Sequence, residues 1–256
     1  MAEPTTTFPI ATLSGTILQN DTGPEDHFYL ETFSMNRTFH ISPYAPTFQG
    51  IGIAVMLLLS PVFLPHLVQA AEQDQIRWDN KYAKENYLFG REAIPFLQDH
   101  VDLLPKGPVL DLAMGEGRNG VFLAAKGYQV TGVDISEEGL KKAQALAAER
   151  GVTLKTVVAD LDTYDIPPNT FDVIICTYYL QRDLFPKIAE ALKPGGMALI
   201  ETYTIDHLPY QPRFNKAYLL QPNELLTMLP GLRVLRYQEV DTGQAAFASI
   251  LAQKPQ

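Results

Sequence analysis

From residue 107 onward the chain alternates short apolar runs with amphipathic ones. Gly107–Leu112, Gln129–Val133, Thr153–Val158, Phe171–Cys176 and Met197–Tyr203 have the length and apolar content of strands. Between them, Arg118–Lys126, Ser136–Arg150 and Asp183–Leu192 place apolar residues at helical spacing. Ser136 is a good N-cap, because its oxygen can accept one of the orphan N–H groups of a first turn. Glu137 and Glu138 then lie near the positive end of that helix, and Gly151 stops it. Gln221–Leu229 predicts a further helix, and Leu232–Val240 and Ala246–Leu251 predict two last strands. Strand–helix alternation predicts an α/β fold, a doubly wound and mostly parallel seven-stranded sheet covered on both faces. The last two strands are joined through Asp241, Thr242 and Gly243. That is too short for a parallel crossover, so they form an antiparallel pair. Ligands of such sheets bind at the carboxyl ends of the strands.

The N-terminal region reads differently. Residues 1–50 are rich in Thr and Pro, contain no Lys, and carry Arg37 against Glu3, Asp21, Glu25, Asp26 and Glu31. They show no sustained periodicity, which predicts a disordered tail. Residues 51–70 follow as an apolar segment, uncharged from Ile51 to Leu64 and, at about 20 residues, long enough to span a bilayer. The same run, ending in Val68-Gln69-Ala70, also reads as a signal-peptide core with a small-residue cleavage site, for which Met35 is an internal start. A buried helix, which Pro61 and Pro65 oppose, and a start site assigned too far upstream are the remaining readings. Arg77, Lys81, Lys84 and Arg91 lie beyond the segment, so the positive-inside rule puts the domain at 71–256 in the cytoplasm, membrane-anchored through 51–70. Export after cleavage near Ala70 is the alternative.

Charge narrows the partners. The chain has 20 Lys+Arg against 29 Asp+Glu, a net charge of −9. This removes an overall basic footprint for nucleic acid. Cys176 is the only cysteine, so no intrachain disulfide forms. No Cys/His cluster or His-x-x-x-His spacing predicts a metal site. Nothing in the sequence fixes the oligomeric state.

The candidate chemistry begins at Val109-Leu-Asp-Leu-Ala-Met-Gly-Glu-Gly-Arg-Asn-Gly120. A loop with Gly115 and Gly117 follows the first strand and opens a helix, where glycine lets a ligand approach the backbone. Gly115, Gly117 and Gly120 fit a dinucleotide fingerprint, which alone is weak. Asp111 before the loop and Asp134 at the end of the second strand sharpen it, because a carboxylate at Asp134 can accept from both hydroxyls of a ribose.

These residues carry a resemblance. Asp111-Leu-Ala-Met-Gly-Glu-Gly117 resembles motif I of the class I S-adenosylmethionine (SAM)-dependent methyltransferases. Val133-Asp134-Ile135-Ser136 resembles their second acidic motif, Ala159-Asp160-Leu161 their adenine segment, Phe171–Cys176 the strand lining the transferred methyl, and Leu192-Lys-Pro-Gly-Gly196 the turn before their fifth strand. Trp78-Asp-Asn-Lys-Tyr82, Tyr87-Leu-Phe-Gly90, Gly115-Glu-Gly-Arg-Asn119 and Glu201-Thr-Tyr-Thr204 are similar to the tellurite-resistance-like, small-molecule methyltransferases. The likeness runs from about residue 78 to about residue 252. Where the family has glycine and cysteine in motif I, this chain has Ala113 and Met114, and alanine there is a mild change provided its φ stays negative.

The resemblance implies SAM as methyl donor, with a small, anionic or thiol acceptor attacking in line. It implies donor contacts from Asp111, Ala113, Gly115, Glu116, Gly117, Asn119, Asp134, Ile135, Ser136, Asp160, Leu161 and Cys176, under a cover from Trp78 and Tyr87. Candidates on the acceptor side are Tyr178 and Arg182 after the fourth strand and His207 after the fifth, His207 as a general base. Arg118 either bridges to Asp111 or faces the acceptor. A non-catalytic SAM-binding protein and an NAD-dependent oxidoreductase are the rival readings. The second leaves Leu192–Gly196 unexplained.

Overall fold

The computed structural model describes residues 60–256, with side chains from residue 71. The expected tail at 1–50 and the run 51–59 lie outside the described residues. A helix α1 spans Ser60–Tyr82. Pro61 falls in its first turn, where the missing N–H has no intrahelical partner to lose, and the helix continues unbroken through Ala70 into Trp78 and Tyr82. Among the described residues, no helix is long and apolar enough to cross a membrane.

The remaining elements follow in chain order. They are α2 Pro95–His100, β1 Pro108–Leu112, α3 Arg118–Ala125, β2 Gln129–Asp134, α4 Glu137–Glu149, β3 Lys155–Val158, β4 Phe171–Thr177, α5 Leu184–Ala191, β5 Leu192–Tyr203, β6 Arg233–Asp241 and β7 Ala246–Gln253. The seven strands form one sheet in the order β3-β2-β1-β4-β5-β7-β6. The first five are parallel, and β7 runs antiparallel to both β5 and β6. The expected fold class therefore stands. Ser136 caps α4 as its sequence predicts, accepting from the Gly139 N–H at 3.1 Å.

Alternation along the strands builds two apolar layers. Leu110, Leu112, Ile174, Cys176, Ile200 and Ile250 pack on the α5 side with Leu184 and Ile188. Val109, Val173, Ile175, Leu199 and Leu251 pack on the other side with Leu97, Leu123 and Leu140 of α2, α3 and α4. Val173 to Cys176 have no exposure at all. Such two-sided burial is why the central strands read as unbroken apolar runs.

One predicted element is not formed. Gln221–Leu229 is not a helix, and only a 3₁₀ turn at Glu224–Thr227 is present. Asn223 before it has a left-handed backbone (φ 61). The Glu224 carboxylate accepts from the Gln221 amide at 2.8 Å and from Arg182, which fixes a tight turn instead.

Candidate functional site

The carboxyl ends of β1 and β2 meet at the glycine loop. Asp111 is 2% exposed, and its Oδ2 has no hydrogen-bond partner. Burial, and secondarily the charge of Asp134, push its carboxyl well above the usual range, while the Gly120 amide pulls the other way. Asp134 is 7% exposed. Its two oxygens accept from the Gly115 amide at 2.7 Å and the Ser136 amide at 2.8 Å. Burial raises its pKa and these amides hold it down. Two buried carboxylates, one with an orphaned oxygen, thus face one loop.

The loop depends on left-handed backbone. Gly115 and Gly117 have φ 56 and 85, and a Cβ on Gly117 would come within 2.5 Å of the Ala143 Cβ. Ala113 has φ 53, so the expectation of a negative φ is wrong. Alanine here occupies a region that costs an L-residue about 1–2 kcal/mol.

Helix α1 closes over this loop. Tyr82 is 5% exposed, with its hydroxyl against Gly115 and its ring edge against Gly139, where an added Cβ would approach them to 2.7 and 2.9 Å. Burial and the charges of Asp134 and Glu116 raise its pKa well above that of free tyrosine. Trp78 stacks on Tyr82 at 5.4 Å. Asp79 accepts from the Ser136 hydroxyl at 2.5 Å and the Glu138 amide at 3.1 Å, which spends the Ser136 hydroxyl on the helix.

Two residues of the loop motif serve as clamps. Glu116 is 4% exposed. It pairs with Lys142 at 2.9 Å and accepts from the Leu88 and Phe89 amides. Lys142 also donates to the carbonyls of Lys84 and Asn86, and its own carbonyl accepts from the Tyr87 hydroxyl. Asn119 accepts from the Ile94 amide at 3.0 Å and donates to the Thr177 hydroxyl at 2.9 Å, tying the start of α2 to the end of β4. All the polar atoms of these two side chains therefore bond the chain itself. Arg118 donates to the Phe89 carbonyl at 2.7 Å and stands over the rings of Phe89 and Tyr178.

After β3, Asp160 accepts from the Asp162 amide at 2.9 Å, Leu161 is buried, and Ile135 is half-buried beyond β2. Cys176 is wholly buried, with its thiol pushed up by that burial, and its Sγ donates to the Tyr179 carbonyl.

The acceptor-side candidates separate. Tyr178 has a left-handed backbone (φ 57), and its hydroxyl donates to Glu201 at 2.8 Å. Arg182 lies elsewhere. It is bidentate to Glu224 and donates to the carbonyls of Ala217 and Leu219, so its fork is spent on the chain between β5 and β6. His207 is 2% exposed and stacks on Tyr203 at 4.1 Å. Its Nδ1 accepts from the Ala246 amide, so the neutral ring carries its proton on Nε2, which has no partner. Burial lowers its pKa, against a raising contribution from Gln211. With Nδ1 engaged and Nε2 protonated, the neutral ring has no free basic lone pair.

The sequence marks Glu201 only as part of a resemblance, with no role assigned to it, and does not single out Ser249. An acidic residue inside the apolar run Met197–Tyr203 was the available signal.

The sheet order β3-β2-β1-β4-β5-β7-β6 with an antiparallel β7, and the glycine loop at the ends of β1 and β2, is the fold of the class I methyltransferases. Comparison agrees. Residues 109–196 match the family model described as a methyltransferase domain. Over 113 residues the chain is 37% identical to a ubiquinone biosynthesis O-methyltransferase of Idiomarina loihiensis, covering 42% of this chain and 46% of the relative. Over 149 residues it is 28% identical to a probable SAM-dependent methyltransferase, TehB, of Haemophilus influenzae, covering 55% and 51%. The chain spans about half the length of the curated relatives it matches. The crystal structure of Haemophilus influenzae TehB superposes with a TM-score of 0.53 at 24% identity, over 70% of this chain and 66% of that one.

Proposed function

We propose that the chain transfers a methyl group from SAM to a small-molecule acceptor by in-line displacement. The observation that carries this reading is the buried Asp111 oxygen without a partner, beside a glycine loop that ends at a second buried acid. When bound, the donor supplies an electrophilic methyl on a sulfonium. Asp111 would accept from its ammonium, the Gly115–Gly117 backbone would follow its methionine and ribose, and Asp134 would take the ribose hydroxyls. Ile135, Asp160 and Leu161 would enclose adenine, with Cys176 and Thr177 at the floor near the methyl. Trp78 and Tyr82 would cover the donor and exclude water from its cationic centre, while Tyr87 packs against Val121 and Leu146 of α3 and α4. Enclosure and alignment supply most of what such a displacement needs.

The acceptor would enter past β4 and β5, beside Tyr178 and Tyr203. Among the described residues no carboxylate is within ion-pairing distance of Arg118, which makes it the cation for an anionic acceptor on that side. An O-methyltransferase among the relatives supports an oxygen nucleophile, with a thiol as the other class. We also read the domain as cytoplasmic and attached through 51–70, from the cations that follow the apolar run. A C-terminal reporter active only outside the cytoplasm would overturn that.

The test is calorimetric titration of the full chain with SAM, with NAD and an Asp134→Ala variant as controls. SAM at 100-fold over its Kd should stabilise the fold by about 2.7 kcal/mol. Binding weakened at least tenfold in the variant is the expected result. A folded chain that binds no SAM refutes the reading.

A further inference from the structure

Glu201 is a buried carboxylate with no task in the donor site. It lies on β5 at 1% exposure and accepts one hydrogen bond on each oxygen, from the Tyr178 hydroxyl at 2.8 Å and the Ser249 hydroxyl at 2.7 Å. No cation among the described residues forms an ion pair with it. A charge buried on two neutral hydroxyls is a poor device for stability, since a well-packed apolar residue does better. Its partner is also under constraint. Tyr178 is the first residue after β4 and holds a left-handed backbone, which a bulky residue adopts only when its surroundings impose it. Glu201 imposes it twice, because its carbonyl accepts the Tyr178 amide at 2.7 Å and its carboxylate accepts the hydroxyl. The side chains facing this pair are Ser249 on β7, Tyr203 on β5 with its ring 4.9 Å from that of Tyr178, and Arg118 on α3 with its guanidinium 5.3 Å from the Tyr178 ring.

Resting on the methyl-transfer reading above, we propose that Glu201 acts through Tyr178 as the proton acceptor for a hydroxyl nucleophile, which makes the acceptor a phenol or alcohol. The acceptor hydroxyl donates to the phenolic oxygen of Tyr178. As its oxygen bonds the methyl carbon, the carbon–sulfur bond breaks and its electron pair stays on sulfur. The acceptor's proton moves to the Tyr178 oxygen, and the Tyr178 proton moves to Glu201. A sulfonium and a carboxylate become a thioether and a carboxylic acid, so no net charge is created in the enclosed site. Burial raises the pKa of Glu201, which strengthens it as a base. His207 does not compete for this role, as its Nδ1 lone pair is engaged by the Ala246 amide. Tyr178 is the group that touches the acceptor, and Glu201 is the positioning and proton-storing residue behind it.

The test uses the full chain, a panel of simple phenols, catechol and alcohols, and 4-nitrothiophenol as an acceptor already ionised at neutral pH. Glu201→Gln keeps the size and both hydroxyl contacts, and SAM binding by calorimetry should stay within about twofold of the parent. Its kcat on the hydroxyl panel should fall about 100-fold. The acidic limb of its kcat–pH profile should disappear, and Tyr178→Phe should behave alike. Methylation of 4-nitrothiophenol should be reduced less than about threefold by either change. Retention of the acidic limb in Glu201→Gln, or an equal loss on both acceptor classes, would overturn the relay while leaving the donor site standing. Thiolate turnover by the parent with none on the hydroxyl panel would do the same. A parent that binds no SAM, or methylates nothing, would overturn the relay together with the methyl-transfer reading.

Discussion

Glu116 sits in the middle of the glycine motif, where its sequence position suggests a donor contact, yet both its oxygens bond the chain. Substituting Glu116→Ala removes an acceptor for the Leu88 and Phe89 amides and leaves Lys142, with 18% side-chain exposure, without its counter-charge. Breaking a buried ion pair from one side costs about 3–5 kcal/mol. Lys142 keeps the carbonyls of Lys84 and Asn86, and the freed amides belong to an exposed segment that water can reach, so the low end applies, about 3 kcal/mol. For a domain of this size that is a fall in Tm of roughly 6–12 °C. Urea titration of parent and variant without ligand reads it directly, as a lower midpoint at unchanged slope. A stability loss under about 1 kcal/mol together with loss of SAM binding would refute the clamp and return Glu116 to the donor.

Other outcomes follow from the same geometry. Asp111→Asn removes a carboxyl whose ionised form burial disfavours, so the apoprotein should be at least as stable in a melting scan while calorimetry shows SAM affinity down at least tenfold; unchanged affinity would remove Asp111 from the donor site. Ala113→Gly relieves a left-handed alanine but loosens the unfolded chain, for a net gain of about 0.5–1 kcal/mol by urea titration, and a loss would mean φ at 113 is not positive in solution. The Arg182 hydrogen bond holds the Glu224 carboxyl below its ordinary value. Its contribution to stability is therefore complete above the unfolded glutamate pKa and lost as pH falls through the lowered folded one. Arg182→Met should be less stable than the parent by about 1 kcal/mol near neutrality, with the gap closing in acid, and a gap that does not move with pH would count against the pair.

Much of this architecture was legible because strands buried on both faces and helices capped by Ser136 or ended by Gly151 announce themselves locally. Asp111, Gly115, Gly117 and Asp134 were legible for the same reason, since a loop and two strand ends are set by adjacent sequence. What failed depended on distant partners. The sequence puts Arg182 on the acceptor side, but Glu224, far along the chain, takes its guanidinium. Glu116 and Asn119 lie inside the candidate donor motif yet spend their polar atoms on segments 84–90 and 94 and on Thr177. Residue type alone gives Ala113 a negative φ, whereas its φ is set by the turn from β1 into the loop. The Gln221–Leu229 pattern is helical in period, but a left-handed Asn223 and the captured Glu224 fold it into a turn.

The place of β7 between β5 and β6 also bears on how the protein is made. A ribosome delivers β1 to β5 first, and β5 then has β4 on one side and an open edge on the other, along the apolar Met197–Ile200. That edge stays available to other nascent chains until residues 246–253 emerge and dock. Ser249 arrives in the same step and gives the Glu201 carboxylate its second hydroxyl. Completion of the sheet and completion of the buried acid at its carboxyl edge are thus one event, and the docking of β7 is what ends the interval of aggregation risk.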